Sequence, residues 1–379
     1  MTMRQNGDDE LPSAIQSPLI STEIQRPVTG IWLVIVTKVT FALVGLFLFI
    51  LALQLLKDGT RVYGNTIKDV LNINSAANTL GFGWLLAYVF LSGSPVAAIA
   101  ISFFAAGSLT ALQTFTMITG SRLGASFIVL FVGFIYSLRG HQRAASVAIG
   151  VLALLTTAAI YLPALAIGTW LLTSGIIGTV QVGHVSEAPS LIGAIYDPIL
   201  GAIKQLGLPG WAVILAGIAT LLTGFSLLDR ALPEMNGERS AFKQIGRMVY
   251  RPMAMFLLGA AITSVTLSVS VSLSILVPLS VKGFVRRENT LPYIMGANIT
   301  TFIDTLIAAL LVGGPSAFTI VLVEMLSVAV LSLLVLLFCY RPFASAIMRL
   351  QEQIIKTRLS LSIFLGTMLF IPLVLLLVQ

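Results

Sequence analysis

Two apolar stretches of this chain, 176 positions apart, carry the same polar pattern. Ser92-Gly93-Ser94 precedes Gly120-Ser121-Arg122 by the interval at which Ser268-Val269-Ser270 precedes Gly296-Ala297-Asn298. Between them Gly107, Thr114 and Ile118 align with Gly283, Thr290 and Ile294 without a gap. Hydroxyls and glycines that recur at membrane depth in two halves mark a transporter built from a duplicated unit. In such folds the solute site lies where the interrupted regions of the two copies meet.

Membrane depth is a matter of composition. Of 379 residues, 57% are hydrophobic and 10% are charged, and the mean hydropathy is +0.99. No soluble domain needs so much apolar surface. A transmembrane barrel would alternate over segments of about ten residues. The apolar runs here are longer, as in 31–56 and 316–340, so the spans are helices. Nucleotide-binding, metalloprotease and nucleophile-elbow motifs are lacking, so neither ATP-driven pumping within this chain nor an enzyme is expected. The net charge of +7 reports basic loops, and nothing in it points to nucleic acid. Cys339 is the lone cysteine, and His141 and His184 lie far apart in sequence, so no metal cluster is expected.

The division along the chain follows from charge and Gly/Pro boundaries. Residues 1–28 read as a disordered cytoplasmic tail, 29–162 as a first repeat, and 163–208 as a connector. Residues 209–340 read as a second repeat, and 341–379 as a basic amphipathic stretch with a final span. The first repeat holds a span over 31–56, a charged loop over 57–69, and an apolar segment over 80–106 that Ser92-Gly93-Ser94-Pro95 divides. Each half of that segment is too short to cross a hydrocarbon core of roughly 30 Å. A re-entrant hairpin is expected there, and a second over 252–281. Each repeat also has a span interrupted by glycine, at 120–124 and at 296–301. The fold class is thus an all-α integral membrane protein of two inverted-topology repeats, each with a re-entrant hairpin and a broken transmembrane helix. Threading the chain this way puts Lys57, Arg61, Lys68 and Lys204 on one side and the other loop and tail cations opposite. The positive-inside rule then sets the amino terminus in the cytoplasm of a plasma (inner) membrane.

The candidate solute-binding residues are Ser92, Gly93, Ser94, Ser268 and Ser270 at the two tips, with Arg122. Half-helix starts at hairpin tips free amide N–H groups at the positive end of a helix dipole, which suits an anion. Serine hydroxyls add short donors, and small residues at a tip equally allow close packing. Arg122 lies inside a span. A buried guanidinium must face a cavity, an anionic solute or a carboxylate, Asp304 or Glu324. The candidate ion-binding residues are Ser121, Asn298, Thr300, Thr301 and Asp304, where a helix break would expose carbonyls to a coupling ion. Lys38 reads as structural.

These residues bring a resemblance with them. Gly296-Ala297-Asn298-Ile299-Thr300-Thr301 resembles the GANIGTT signature of the sodium/phosphate cotransporter family, type II and its bacterial relatives. Gly283 and Pro292 stand at that family's spacings, and 46–50 with 55–59, and 223–229, are similar to its repeat starts. The likeness spans roughly residues 42–340. It departs at the tips, where the family's QSSS reads Leu91-Ser92-Gly93-Ser94 and Leu267-Ser268-Val269-Ser270, and at Arg122, which replaces an asparagine. The resemblance implies secondary active, sodium-coupled uptake of a small anion, inorganic phosphate first, with sodium as coupling ion and no other cofactor. Two alternatives stand beside it. One is a proton-coupled transporter of another solute, using Arg122 with Asp304; the other is a non-transporting membrane subunit or scaffold. Partners are a small anionic solute and the lipid bilayer, with a homo-oligomer or membrane partner subunits left open.

Overall fold

The fold is given by a computed structural model. It describes residues 28–71, 73–138, 143–175, 188–232, 251–269, 271–273, 276 and 285–378, with backbone alone for 28–31, 63–71, 131–138, 143–146 and 188–192. The tail 1–27, His141, His184 and Ser270 lie outside the described residues. All described secondary structure is helical: α1 (Val28–Leu71), α2 (Ala76–Phe90), α3 (Ser94–Ala105), α4 (Ala111–Leu138), α5 (Arg143–Thr173), α6 (Ala188–Gln205), α7 (Gly210–Ala231), α8 (Pro252–Thr266), α9 (Arg287–Thr300), α10 (Phe302–Ala308), a π-helical turn (Ala309–Gly313), α11 (Gly314–Phe338), α12 (Tyr340–Lys356) and α13 (Arg358–Leu377). Five described helical stretches are long and apolar enough to cross a membrane: Trp32–Val62, Val147–Thr173, Gly210–Ala231, Arg287–Phe338 and Arg358–Leu377. This is an all-α integral membrane protein.

Several boundaries differ from expectation. The charged loop over 57–69 is the continuation of α1, and α5 runs through Pro163 to Thr173 rather than ending at 162. Charge marks where a helix leaves an apolar medium, and it does not end the helix. Neighbouring helices re-satisfy backbone freed by an intramembrane proline. The basic amphipathic stretch folds as α12. Its Ala344 and Ile347 pack with Leu152 of α5 and Leu291 of α9.

The broken helix expected in the first half is corrected outright. α4 runs unbroken through Gly120–Gly124. Its glycines serve close approach. A methyl at Gly120 would overlap the Leu80 carbonyl oxygen of α2, and one at Gly124 would lie 2.5 Å from the Trp84 oxygen. Gly83 of α2 meets Met117 of α4 in the same way. Small residues of this kind let helix backbones touch where no water drives association. The contact of α8 with α9 repeats the scheme at the same 176-residue offset: Gly259 lies on the Tyr293 carbonyl and Gly296 on the Phe256 carbonyl. In the second half the interruption falls at Thr301, between α9 and α10. A π turn and Gly314, at φ 68°, follow it.

Two tight turns position the site. Ser75 caps α2 in a capping box with Asn78. The helix ends at Leu91 with φ 50°, and α3 begins three residues later. α8 ends at Leu267 with φ 51°, again 176 positions on, and Val269 and Val271–Leu273 are helical after it. These are the only described non-glycine residues at positive φ. Left-handed leucine costs roughly 1–2 kcal/mol, so the surrounding packing enforces both turns. α1 and α7 pair closely elsewhere, Gly45 against Gly224 and Gly217 against Leu56.

Candidate functional site

α3 is buried from Ser94 to Phe103, with Gly93 as its N-cap and no side-chain cap. Its first turn therefore opens on whatever faces the tip. Facing it on α4 are Arg122 and Ser126, one helical turn apart. The tip of the second half, at Ser268, comes to the same place. Ser92, Gly93, Ser94, Arg122, Ala125, Ser126, Ser268, Val269, Asn298 and Thr301 line one cavity of about 10 Å³, room for a single water. Residues far apart in sequence thus converge on one point.

Arg122, 5% exposed, dominates that point. Its Nη1 donates to Thr301 Oγ1 at 3.2 Å and its Nη2 to Thr305 Oγ1 at 2.5 Å. Nη2 also lies 3.5 Å from Asp304 Oδ1, and the guanidinium carbon stands 4.9 Å from the centroid of the Phe302 ring. Thr305 Oγ1 donates to Asp304 Oδ1 as well, at 2.9 Å. Of the two carboxylates open as partners in the sequence, Asp304 is the one paired. Glu324 accepts from Thr119 at 2.8 Å instead. Among the described residues each of these three charged side chains keeps one buried atom without a partner: Arg122 Nε, Asp304 Oδ2 and Glu324 Oε2.

The other candidates are placed as follows. Asn298 lines the cavity, and its Nδ2 donates to Thr157 Oγ1 of α5 at 3.0 Å while Tyr161 donates to its carbonyl at 3.0 Å. Thr300 turns away and donates to Ala260 of α8 at 3.0 Å. Ser121 donates to Ile118 within α4 at 2.7 Å. Its carbonyl is what Gly93 packs against. Asp304 borders a second, larger cavity of about 530 Å³ between the tips and the α1–α7 pair, which also reaches Ser92, Ser94, Ser268, Phe49 and Asp229. Lys38 donates to the Leu232 carbonyl at the end of α7, a structural role. Among the described residues no group of three or more His, Cys, Asp or Glu is placed to hold a metal ion.

Ser126, Thr305 and Phe302 were not singled out from the sequence. Ser126 and Thr305 each stand four residues beyond a candidate, Arg122 and Thr301, and so share its helix face. That spacing was the available signal.

No curated protein and no solved structure matches the chain. Residues 220–372 match the model of the Na+/Pi-cotransporter family. The matched stretch contains Ser268, Asn298, Thr301 and Asp304, while Arg122 and the first tip lie outside it. Over residues 220–372, then, the chain is similar to the sodium/phosphate cotransporter family.

Proposed function

We propose that this protein is a secondary transporter that takes up a small anion with sodium, inorganic phosphate first, through two inverted repeats whose re-entrant tips enclose the solute. The carrying observation is the single cavity that joins both tips to Arg122, Asn298 and Thr301. The repeated offset of the strained leucines and of the glycine contacts supports the duplication. The uncapped start of α3, the serine hydroxyls and the free Nε of Arg122 are donors suited to an anion. Ser270 is assigned to this site by sequence.

Room for a single water is too little for an anion, which would enter only when the tips part from their surroundings. The 530 Å³ cavity beside Ser92, Ser94 and Ser268 is the approach to it. Uptake of labelled phosphate into proteoliposomes, with an inward sodium gradient or with sodium replaced by choline, tests the proposal. Accumulation that depends on sodium supports it. Equal uptake in choline would overturn the coupling. The bound state of Arg122 favours a second reading, a sealed relative that serves as a membrane subunit. No uptake of any anion, together with a stoichiometric co-purifying membrane partner, would favour that reading.

A further inference from the structure

We propose that the Arg122 guanidinium is a tethered cation filling an alkali-cation site built by Asp304, Thr301 and Thr305, so that this chain operates with one mobile cation fewer than the same fold would with a neutral residue there. The inference rests on the site described under the proposed function, but it concerns what the site binds and not whether the protein transports.

The donor set is the first ground. The two terminal nitrogens of Arg122 touch the Thr301 and Thr305 hydroxyls and one Asp304 carboxylate oxygen, a set of hard oxygens. One carboxylate and two hydroxyls balance a single positive charge. They fall short of the carboxylate-rich set of a divalent ion, and among the described residues no acidic cluster supplies the difference. The second ground is Asp304 Oδ2, which is buried and has no partner in a residue only 6% exposed. A bidentate guanidinium would satisfy both carboxylate oxygens. Here the charge is matched and the coordination is not, as when an arginine occupies a place shaped for a smaller ion. The Phe302 ring beneath the guanidinium adds a third cation-binding element.

Position is the third ground. The donors lie at the interruption between α9 and α10, where the helix changes from one segment to the next at Thr301. A helix terminus of this kind supplies ion ligands in membrane transport proteins. Arg122 reaches it from α4, in the other half of the chain, at the position equivalent to Asn298. An amide there would leave the Asp304 charge for a free ion to neutralise. A guanidinium neutralises it permanently.

The test is the response of the full-length purified protein to sodium, read as its melting temperature in detergent and as binding of radioactive sodium. Wild type, Arg122→Ala, Arg122→Gln, Arg122→Lys and the double variant Arg122→Ala/Asp304→Asn are compared in sodium chloride and in choline chloride. Wild type and Arg122→Lys share one sodium response, set by whatever mobile ions they bind. Arg122→Ala and Arg122→Gln melt lower in choline. They recover with sodium through one additional saturable component, with one more sodium bound per chain than in wild type. The double variant loses that component. Equal sodium responses in wild type and both neutral variants overturn the proposal, as does an extra response that persists without the Asp304 carboxylate. Should Arg122→Ala and Arg122→Gln fail to fold in either salt while the double variant folds, sodium does not fill the site and the proposal also falls. Phosphate uptake is read separately, so a wild type that does not transport refutes the proposed function and leaves this result standing.

Discussion

Replacing Gly120 by alanine decides whether that glycine is a hinge or a contact. A methyl on Gly120 would overlap the Leu80 carbonyl oxygen and stand 3.0 Å from the Trp84 nitrogen. Both opposing atoms are backbone, so no rotamer change relieves the clash, and α2 and α4 must part locally by about 1 Å. Overpacking of this kind costs typically about 1–3 kcal/mol. Alanine in a helix interior returns about 1 kcal/mol of propensity. The expected net loss is therefore about 0–2 kcal/mol, toward the upper end because neither opposing backbone atom can turn away. Gly296→Ala, against the Phe256 carbonyl with Ala260 N at 3.0 Å, should lose a similar amount. Gly366 of α13 is the internal control, since nothing lies within 4 Å of a methyl placed there. Gly366→Ala should gain up to about 1 kcal/mol, being left with the propensity term alone. Melting of the full-length protein in detergent, followed by intrinsic tryptophan fluorescence, gives the three shifts. A hinge glycine would show the reverse at position 120, because alanine would straighten and stabilise the helix. If Gly120→Ala and Gly366→Ala move the melting temperature in the same direction, the close-contact account of α2 on α4 is wrong.

Other variants probe the site and its supports. Arg122→Met and Asp304→Leu, each alone and in choline, should lose about 3–5 kcal/mol by leaving a buried charge unpaired, whereas the double variant should lie near wild type. Additive losses in a denaturation cycle would refute the pairing. Leu91→Asn relieves left-handed strain at the first tip and should stabilise by about 1 kcal/mol, seen as a higher melting temperature. Asn78 Nδ2 donates to the carbonyls of Leu375, Leu376 and Val378, at 3.2, 3.0 and 2.5 Å. Asn78→Leu should cost about 1–3 kcal/mol and speed hydrogen exchange at the end of α13, and unchanged exchange there would exclude the tether.

How much of this was legible varies by residue. The offset of 176 positions was plain in serine and glycine, and the structure places both tips and the Gly-Ala-Asn stretch around one cavity. Helix extents were less legible, because Lys57 and Asp58 suggest an exit from the membrane while α1 continues as helix past them. Lys57 finds a partner there in the Val312 carbonyl of the π turn, at 3.3 Å. Gly120 was misread because a missing β-carbon serves a kink and a tight contact equally well, and only the opposing backbone distinguishes them. Arg122 was visible as a charge needing a partner. Asp304 and Glu324 were equal candidates in the sequence, and the choice depended on α4 meeting α10 with Thr119 turned toward α11. Thr305 was legible in principle, as the residue one turn beyond Thr301.

The same contacts limit which parts can move. α2 is seated on α4 and α8 on α9 by glycine-to-carbonyl contacts, and Arg122 joins α4 to α10 through a charge pair with two hydrogen bonds. Separating α4 from α10 would expose the pair to the 3–5 kcal/mol loss expected of about one broken buried bridge. A transport cycle avoids that cost by moving these helices together. α1 and α7 form a second tightly packed pair, through Gly45, Gly59, Gly217 and Gly224. The 530 Å³ cavity lies between that pair and the tips, so the proposed transport cycle would concentrate relative motion along it, as sliding between two bodies. Leu46 of α1 and Leu267 of the second tip both line this cavity. In a background with Cys339→Ser, bridging Leu46→Cys to Leu267→Cys with a short bifunctional maleimide should abolish uptake, and a reducible reagent of the same length should restore it on reduction. Bridging within one body, between α2 and α4, should leave uptake intact. Full uptake with the first bridge closed would mean that the boundary between moving parts runs elsewhere, and the Arg122–Asp304 pair would then have to open during the cycle.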